Sequence, residues 1–568
     1  MAFGDKPSAI SEYLKHFERE RIIKFALVLI YHGDEYSSCR NYIKLCICKE
    51  NADFIDKALK RIKEHCTDSP EDITSVIPRK YILVGKTTGL LLLKHAFSID
   101  KYEEVAPSNI LEQYLLKVIL LLNQEQCRGN VTSEYDNEGN YSEMFYAKTF
   151  IHTSIKDYDQ KSSNVGLYVT NQIIKGYYFL EFCEKSNLSN QLTVFLSENG
   201  FTTWQQYLYN VVRLITYALN KENDYPIISI QSDDRTGRSF LSSLSFNIKE
   251  RVPLDQNFDF SYFKAHPIIK VNESTYIPIN SLFCINQSFR SLYFKLKAIN
   301  ENLKNTNQYN TNIRQYITTY FSEQILFQKI VRSLFGKKHG VEVFDKPSSS
   351  ESNLPDYYYR DGNVIFLFEN KDILLSDKVI ESPDFSNIEG DLHKKLIKTK
   401  GIPQLIKNIE AINNRQFKWD KHISNNPRIY PILVIDDISL CVPGLNSLLN
   451  NEFQNQLNDK KLNIKVYPMT VVELDSLIAF YSSFQEKKHR FKDTLDRYQA
   501  YLTRSRKHIT DLNQVLDEVY HKFYPFYTYL RQEEFKTPYD SDLFEKICDK
   551  IGFETKGTTT YATQPPRT

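Results

Sequence analysis

An aspartate, a glutamate and a lysine end the most strand-like stretches of this chain. Residues 353–375 read NLPDYYYRDGNVIFLFENKDILL, and VIFLFENKD has the β-branched and aromatic run of a central strand. It closes on Glu369 and Lys371, two positions apart and therefore on one face. Asp361-Gly362 is a two-residue hairpin signal, because both residues tolerate the positive φ that a type I′ turn demands. With that turn Arg360 faces Asn363 and Asp356 comes opposite Leu367. Asp356 then shares a face with Leu367, Glu369 and Lys371 and stands diagonal to Glu369, ~7–8 Å away between backbones. Val364, Phe366, Phe368, Tyr357 and Tyr359 fill the other face.

Two carboxylates held together in a partly buried place repel one another unless a cation or a proton intervenes. A few hard oxygen ligands suit Mg2+ or Mn2+, which keep waters and accept phosphate oxygens. Lys371 beside them is favoured in its protonated form, which fits it to stabilise transition-state charge and orient a water rather than to act as general base. The three residues spell a metal-dependent phosphoryl-transfer site at the end of a rigid sheet. The plainer reading is a structural ion-pair cluster at a sheet edge.

The surrounding pattern supplies elements to hold them. YITTYFSEQILFQKIVRSLFGKK reads as an amphipathic helix and GVEVFDK as a short strand. After the hairpin and a polar excursion, KGIPQLIKNIEAINN reads as a second helix, RIYPILVIDD as a buried strand and KLNIKVYPMTV as one more. Asp436 and Asp437 end the buried strand, where they would cap the next turn.

The pair Pro355-Asp356, a 12-residue gap and then Glu369-Asn370-Lys371 resembles the PD-(D/E)xK, restriction-endonuclease-like nuclease superfamily. That family's core is a helix, a three-strand meander, a helix and a strand, the order expected over residues 311–437. The resemblance implies an α/β nuclease core (αβββαβ, mixed sheet) that hydrolyses DNA phosphodiesters as an endonuclease with Mg2+ or Mn2+. It implies Asp356, Glu369, Lys371 and Gln404 as catalytic residues, and Asp356, Glu369 and Glu323 as metal ligands. Glu323 matches an acid that members often carry on the first helix, and Gln404 a glutamine on the second. RecB-like members place a tyrosine four residues after that glutamine, where this chain has Asn408. Chains with a long helical front and such a C-terminal domain resemble bacterial defence nucleases against phage or foreign DNA, acting as homodimers or with a partner subunit. Two other functions stay open: a non-catalytic DNA-binding scaffold or sensor, and an RNA-cleaving toxin.

The 568 residues are too many for one core. The expected division is a mainly helical domain over 1–223, a β-containing connector over 224–308, the nuclease-like domain over 309–484, a helical region over 485–555 and a disordered tail over 556–568. A net charge of +2 excludes any argument from overall basicity, so a nucleic-acid surface must be local. Lys394, Lys395, Lys398 and Lys400 could meet phosphates there, although such a run is more often a solvated loop. A basic stretch farther on (Lys487, Lys488, Arg490, Lys492, Arg497, Arg504, Arg506, Lys507) interleaves with Phe491, Leu495, Tyr498 and Leu502 at helical spacing, and packing is the favoured reading over DNA contact.

The nine cysteines are scattered and odd in number, as in a reducing cytosol. Cys39, Cys46, Cys48 and Cys66, with His65, lack the paired spacing of a zinc site. Gly85-Lys86-Thr87 imitates a phosphate-binding loop, but Lys80 stands where that loop needs glycine. No signal pattern and no span long enough for a bilayer are present, so a cytoplasmic chain without membrane contact is expected.

Overall fold

The computed structural model of the chain describes residues 8–33, 51, 57, 84–103, 106–126, 131–135, 141–160, 165–220, 223–231, 233–252, 260–335, 340–344, 354–380, 382–485, 490–504, 520–535 and 541–553. Mixed α/β architecture is divided between two compact units, one drawn from residues 1–129 and 213–284 and the other from 130–212, 285–505 and 519–568.

In the first unit, helices α1 (Arg19–His32), α2 (Lys86–Ser98) and α3 (Ser108–Gln126) bury their apolar faces together. A Cβ on Gly89 would lie 2.8 Å from the Ala26 carbonyl oxygen, so α1 and α2 touch backbone to backbone at that glycine. Gly85 precedes α2, whose next turns are buried in this core. Four short strands, β1 (Ile228–Ser229), β2 (Ser245–Asn247), β3 (Ile268–Lys270) and β4 (Thr275–Pro278), form a sheet in the order β1-β4-β3-β2. Phe246, Ile269 and Ile277 share one core with Leu27, Leu90 and Leu122. Residues 224–284 of the stretch expected to be a connector are therefore part of the domain built by the front helices, whereas 285–308 belong to the second unit.

The second unit is organised on a mixed sheet of six strands: β5 (Val341–Phe344), β6 (Tyr357–Asp361), β7 (Val364–Lys371), β8 (Arg428–Ile435), β9 (Lys465–Val466) and β10 (Thr470–Glu473). Along its main path the order is β10-β8-β7-β6-β5, with β9 pairing β8. β5, β6 and β7 are antiparallel neighbours, whereas β8 runs parallel to β7 and β10 parallel to β8.

Helix α4 (Glu143–Gln160) contributes Ile151 and Ile155 to the core of this sheet, with α8 (Ile402–Asn413) and α9 (Leu445–Asn458) on the same side. The other side is aromatic. Helix α7 runs through Ile313–Tyr316, a π-wound Ile317–Phe327 and Gln328–Phe335. Its Phe335 ring lies 5.1 Å from Phe366 and 6.0 Å from Phe368. Helix α10 (Arg490–Leu502) stacks Phe491 on Phe368 at 6.0 Å. Helices α5 (Val165–Glu184) and α6 (Arg290–Asn302) also belong to this unit.

The helix, three-strand meander, helix and strand expected over 311–437 occur in that order. The polar excursion between meander and second helix is itself helical at Asp377–Ile380, Phe385–Leu392 and His393–Ile397, the last carrying Lys394 and Lys395. The domain limits differ. Helices 143–160 and 165–184 fold with the sheet, 150 residues or more downstream in sequence. A division by sequence composition assumes contiguous domains, and here burial joins segments that are remote along the chain.

The hairpin register also differs from the expected one. Asp361 pairs with Val364, so Gly362-Asn363 is the two-residue loop. Gly362 takes φ +60°, and no positive φ occurs at Asp361 or Asn363. Positive φ at the first central residue alone is the type II′ pattern, which needs glycine there and nothing special after it. Asn363 is tied instead to β8, its side-chain oxygen accepting from Arg428 Nη2 at 3.0 Å and its carbonyl from Arg428 N at 2.7 Å. A shift of two residues leaves every side chain on its expected face.

Among the described residues no helix is long and apolar enough to cross a membrane. Cys183, Cys284, Cys441 and Cys548 are buried and form no disulfide. Cys39, Cys46, Cys48, Cys66 and His65 lie outside the described residues, as do Lys487, Lys488, Arg506, Lys507 and the tail over 556–568.

Candidate active site

β7 is the central strand, paired on both edges, and its alternation assigns the site. Ile365 and Leu367 belong to the core formed with Ile402, Leu405 and Leu433, so Glu369 and Lys371 point to that α8 face. The observed β6–β7 register, continued one step past Tyr357–Phe368, brings Asp356 directly across from Glu369 rather than diagonal to it. Opposed residues stand ~4.5–5.5 Å apart, closer than the spacing expected from sequence.

β6 ends at Tyr357, which leaves the next amide of β7 without a ladder partner. The Asp356 carboxylate takes that place, Oδ2 accepting from Asn370 N at 2.7 Å. The same oxygen accepts from Lys371 Nζ at 3.2 Å, and Glu369 Oε2 accepts from Lys371 Nζ at 3.0 Å. One ammonium thus bridges both carboxylates. Glu369 is fully buried, and the side chains of Asp356 and Lys371 are each 12 % exposed, so the group opens to solvent only at Asp356 and Lys371.

Burial pushes the Glu369 carboxyl well above the usual range, and the neighbouring Asp356 charge adds to the rise while Lys371 opposes it. Burial alone would lower the Lys371 ammonium, but Asp356 and Glu369 overcome that and hold it protonated. Glu369 Oε1 is buried with no hydrogen-bond partner. An orphan carboxylate oxygen beside a second carboxylate is a place that a cation or a proton stabilises. This donor set fits a hard divalent cation that takes two protein carboxylates and completes its shell with water and phosphate oxygens.

The other expected residues fare differently. Glu323 lies on α7, the helix that covers the aromatic face opposite Glu369 and Lys371. Among the described residues no three His, Cys, Asp or Glu side chains gather as a metal cage. Gln404 Oε1 accepts from Gly401 N at 2.9 Å, where Gly401 has φ +68°. Its carbonyl side thus caps the start of α8. Asn408 is buried and donates to the Gln404 carbonyl at 3.0 Å. Lys394, Lys398 and Lys400 are exposed, whereas Lys395 is committed to Asp391 Oδ2 and the Leu374 carbonyl, both at 2.6 Å.

Comparison with family models, with curated proteins and with solved structures gives no match.

The sequence reading missed a second charged cluster on the other face of the same strand ends. Asp372 accepts from Arg314 Nη2 at 2.7 Å and from the Ser322 hydroxyl at 2.6 Å. Lys175 of α5, 1 % exposed, lies 2.5 Å from Asp475 and 3.4 Å from Asp436. Burial pushes the Asp436 carboxyl up to about 7 while Lys175 pulls it down. Asp437 Oδ1 does cap the following turn, accepting from Ser439 N at 3.0 Å. The available signal was Lys175 itself, a lone cation inside the apolar run NQIIKGYYFLEF.

Proposed function

We propose that the protein is a metal-dependent nuclease that hydrolyses DNA phosphodiester bonds at Asp356, Glu369 and Lys371. The observation that carries this reading is the bridging of two opposed, buried carboxylates by one lysine at 3.2 and 3.0 Å, beside an unpartnered carboxylate oxygen. Asp356 and Glu369 would hold Mg2+ or Mn2+, which would supply electrostatic activation of a phosphate oxygen and of water.

The chain's own groups perform the rest. Asp356 is fixed by the Asn370 amide, so its carboxylate is presented by the rigid sheet rather than by a loop. Lys371, held protonated, donates to developing negative charge on the phosphate and orients the attacking water. Lys394, Lys398 and Lys400 offer exposed cations to a phosphate backbone. A role in bacterial defence against phage or foreign DNA belongs to this proposal, with a second copy or a partner subunit as the means of cutting both strands.

The test is incubation of end-labelled duplex DNA, single-stranded DNA and single-stranded RNA with the purified chain and Mg2+. Internal cleavage of the duplex is expected. Cleavage of RNA alone would replace DNA as the substrate, and binding of duplex without cleavage by any metal would replace the nuclease with a scaffold.

A further inference from the structure

The second charged cluster surrounds a cavity of about 60 Å3 at the carboxyl ends of β7 and β8. Strand alternation puts Asp372 and Asp436 on the aromatic face of the sheet, the side away from Glu369 and Lys371. Gln172 and Lys175 enter the cavity from α5, Arg290 from α6 and Arg314 from α7, among the apolar side chains of Phe179, Phe289 and Ile317.

Its charges do not balance. Lys175 is shared by Asp475 and Asp436, Arg314 is bound to Asp372, and Arg290 Nη2 lies 3.5 Å from Asp437 Oδ1. With Asp475, which pairs with Lys175 from outside the cavity wall, three cations face four carboxylates, one positive charge short. Two oxygens of the cavity wall are buried without a hydrogen-bond partner, Gln172 Oε1 and Asp437 Oδ2. Their residues are 3 % and 7 % exposed. Both atoms are acceptors, so what they lack is a donor or a cation. With Asp436 ionised, the shortfall of charge selects a cation, and the volume admits one small ion with water around it. A divalent ion would overcharge a site that already holds Lys175, Arg290 and Arg314.

We propose that this cavity binds one monovalent cation of the size of K+ or Na+, coordinated by Gln172 Oε1 and the carboxylates of Asp436 and Asp437. The ion joins α5 to the ends of β7 and β8 by neutralising the charge left over on Asp436. The inference is independent of the nuclease reading, because none of its ligands belongs to the Asp356 and Glu369 pair.

The test uses the full chain in EDTA at constant ionic strength, with K+, Na+ or the bulky N-methylglucamine cation as the only cation. Wild type is expected to melt several degrees higher in K+ or Na+ than in N-methylglucamine, and to give a bound thallium(I) NMR signal in nitrate buffer. Asp436→Asn, which removes the surplus charge at nearly constant shape, is expected to lose both responses. Gln172→Leu, which leaves every charge in place, is expected to bind thallium(I) at least tenfold more weakly and decides the matter if Asp436→Asn does not fold. Equal melting of wild type in all three cations overturns the proposal, as does thallium(I) binding that survives Gln172→Leu unchanged. Stabilisation by Mg2+ but not by K+ or Na+ in a Glu369→Gln background also overturns it.

Discussion

Asp356, one residue before β6, and Glu369 of β7 are bridged by one ammonium, Lys371 Nζ lying 3.2 Å from the first and 3.0 Å from the second. Removing the lysine leaves two carboxylates in a buried place with no counter-charge. Lys371→Met is therefore expected to cost about 3–5 kcal/mol of stability. Glu369→Gln in the same chain removes the repulsion and is expected to recover most of that loss. Urea unfolding of the single and double variants measures both. Activity stays absent in the double variant, which separates the structural role of the ion pair from the chemical one.

Gln404 and its capping bond give a sharper test than simple deletion. Gln404→Ala is expected to cost about 1 kcal/mol by freeing the Gly401 amide. Gln404→Glu keeps an acceptor oxygen at the same place and is expected to restore the loss and to leave cleavage within a few-fold of wild type. Abolished cleavage by a stable Gln404→Glu protein would mean that the side chain touches the reacting groups.

Glu473, at the end of β10, is buried and accepts from Tyr527 N at 2.9 Å. Burial raises its carboxyl from 4.5 to about 7, against the pull of backbone hydrogen bonds. Between these values the folded chain holds a proton that the unfolded chain has lost. Stability from this group is therefore largest below pH 4.5 and is lost as pH rises through about 7, by roughly 2–4 kcal/mol. Glu473→Gln, neutral at every pH, is expected to flatten that part of the stability profile measured between pH 5 and 8.

Exposed lysines before α8 and basic residues of α10 make opposite predictions for DNA binding. Lys394, Lys398 and Lys400 are exposed, whereas Lys492 is paired with Asp496 at 2.6 Å and Arg497 with Glu534 at 2.5 Å. Replacing the three lysines with alanine is expected to lower the salt dependence of duplex binding by up to about 2–3 in log–log slope. Lys492→Ala with Arg497→Ala is expected to leave the slope unchanged. Fluorescence anisotropy across a salt series reads both.

The turn between β6 and β7 is a local test of the corrected register. A Cβ at Gly362 would meet nothing within 4 Å, so any cost arises from φ +60° alone. Gly362→Ala is expected to destabilise by about 1 kcal/mol, with Asp361→Ala within about 0.5 kcal/mol of wild type. The reverse order would restore Asp361-Gly362 as the loop.

These residues show what sequence could and could not carry. The strand order and the face shared by Asp356, Glu369 and Lys371 follow from alternation, which survives a register error of two. The direct opposition of Asp356 and Glu369 depended on which two residues form the turn, and both Asp-Gly and Gly-Asn are good turn dipeptides. Packing of α10 was legible because Phe491, Leu495 and Tyr498 recur at helical spacing, and all three are buried. The partnership of Lys175 with Asp436 and Asp475 joins residues about 261–300 positions apart in a chain without detectable repeats, and no local pattern encodes such a meeting. Gln404 was ambiguous for a different reason: a glutamine three residues into a helix serves a cap or a site equally well, and its bond to Gly401 shows the cap.

The most direct measurement is cleavage of supercoiled plasmid by wild type and Lys371→Ala, each with Mg2+, Mn2+ or EDTA. Nicking or linearisation by wild type that requires metal and is reduced at least a hundredfold in the variant is the predicted result. Equal cleavage by the two proteins, or cleavage in EDTA, would contradict the assignment of Asp356, Glu369 and Lys371 as the active site.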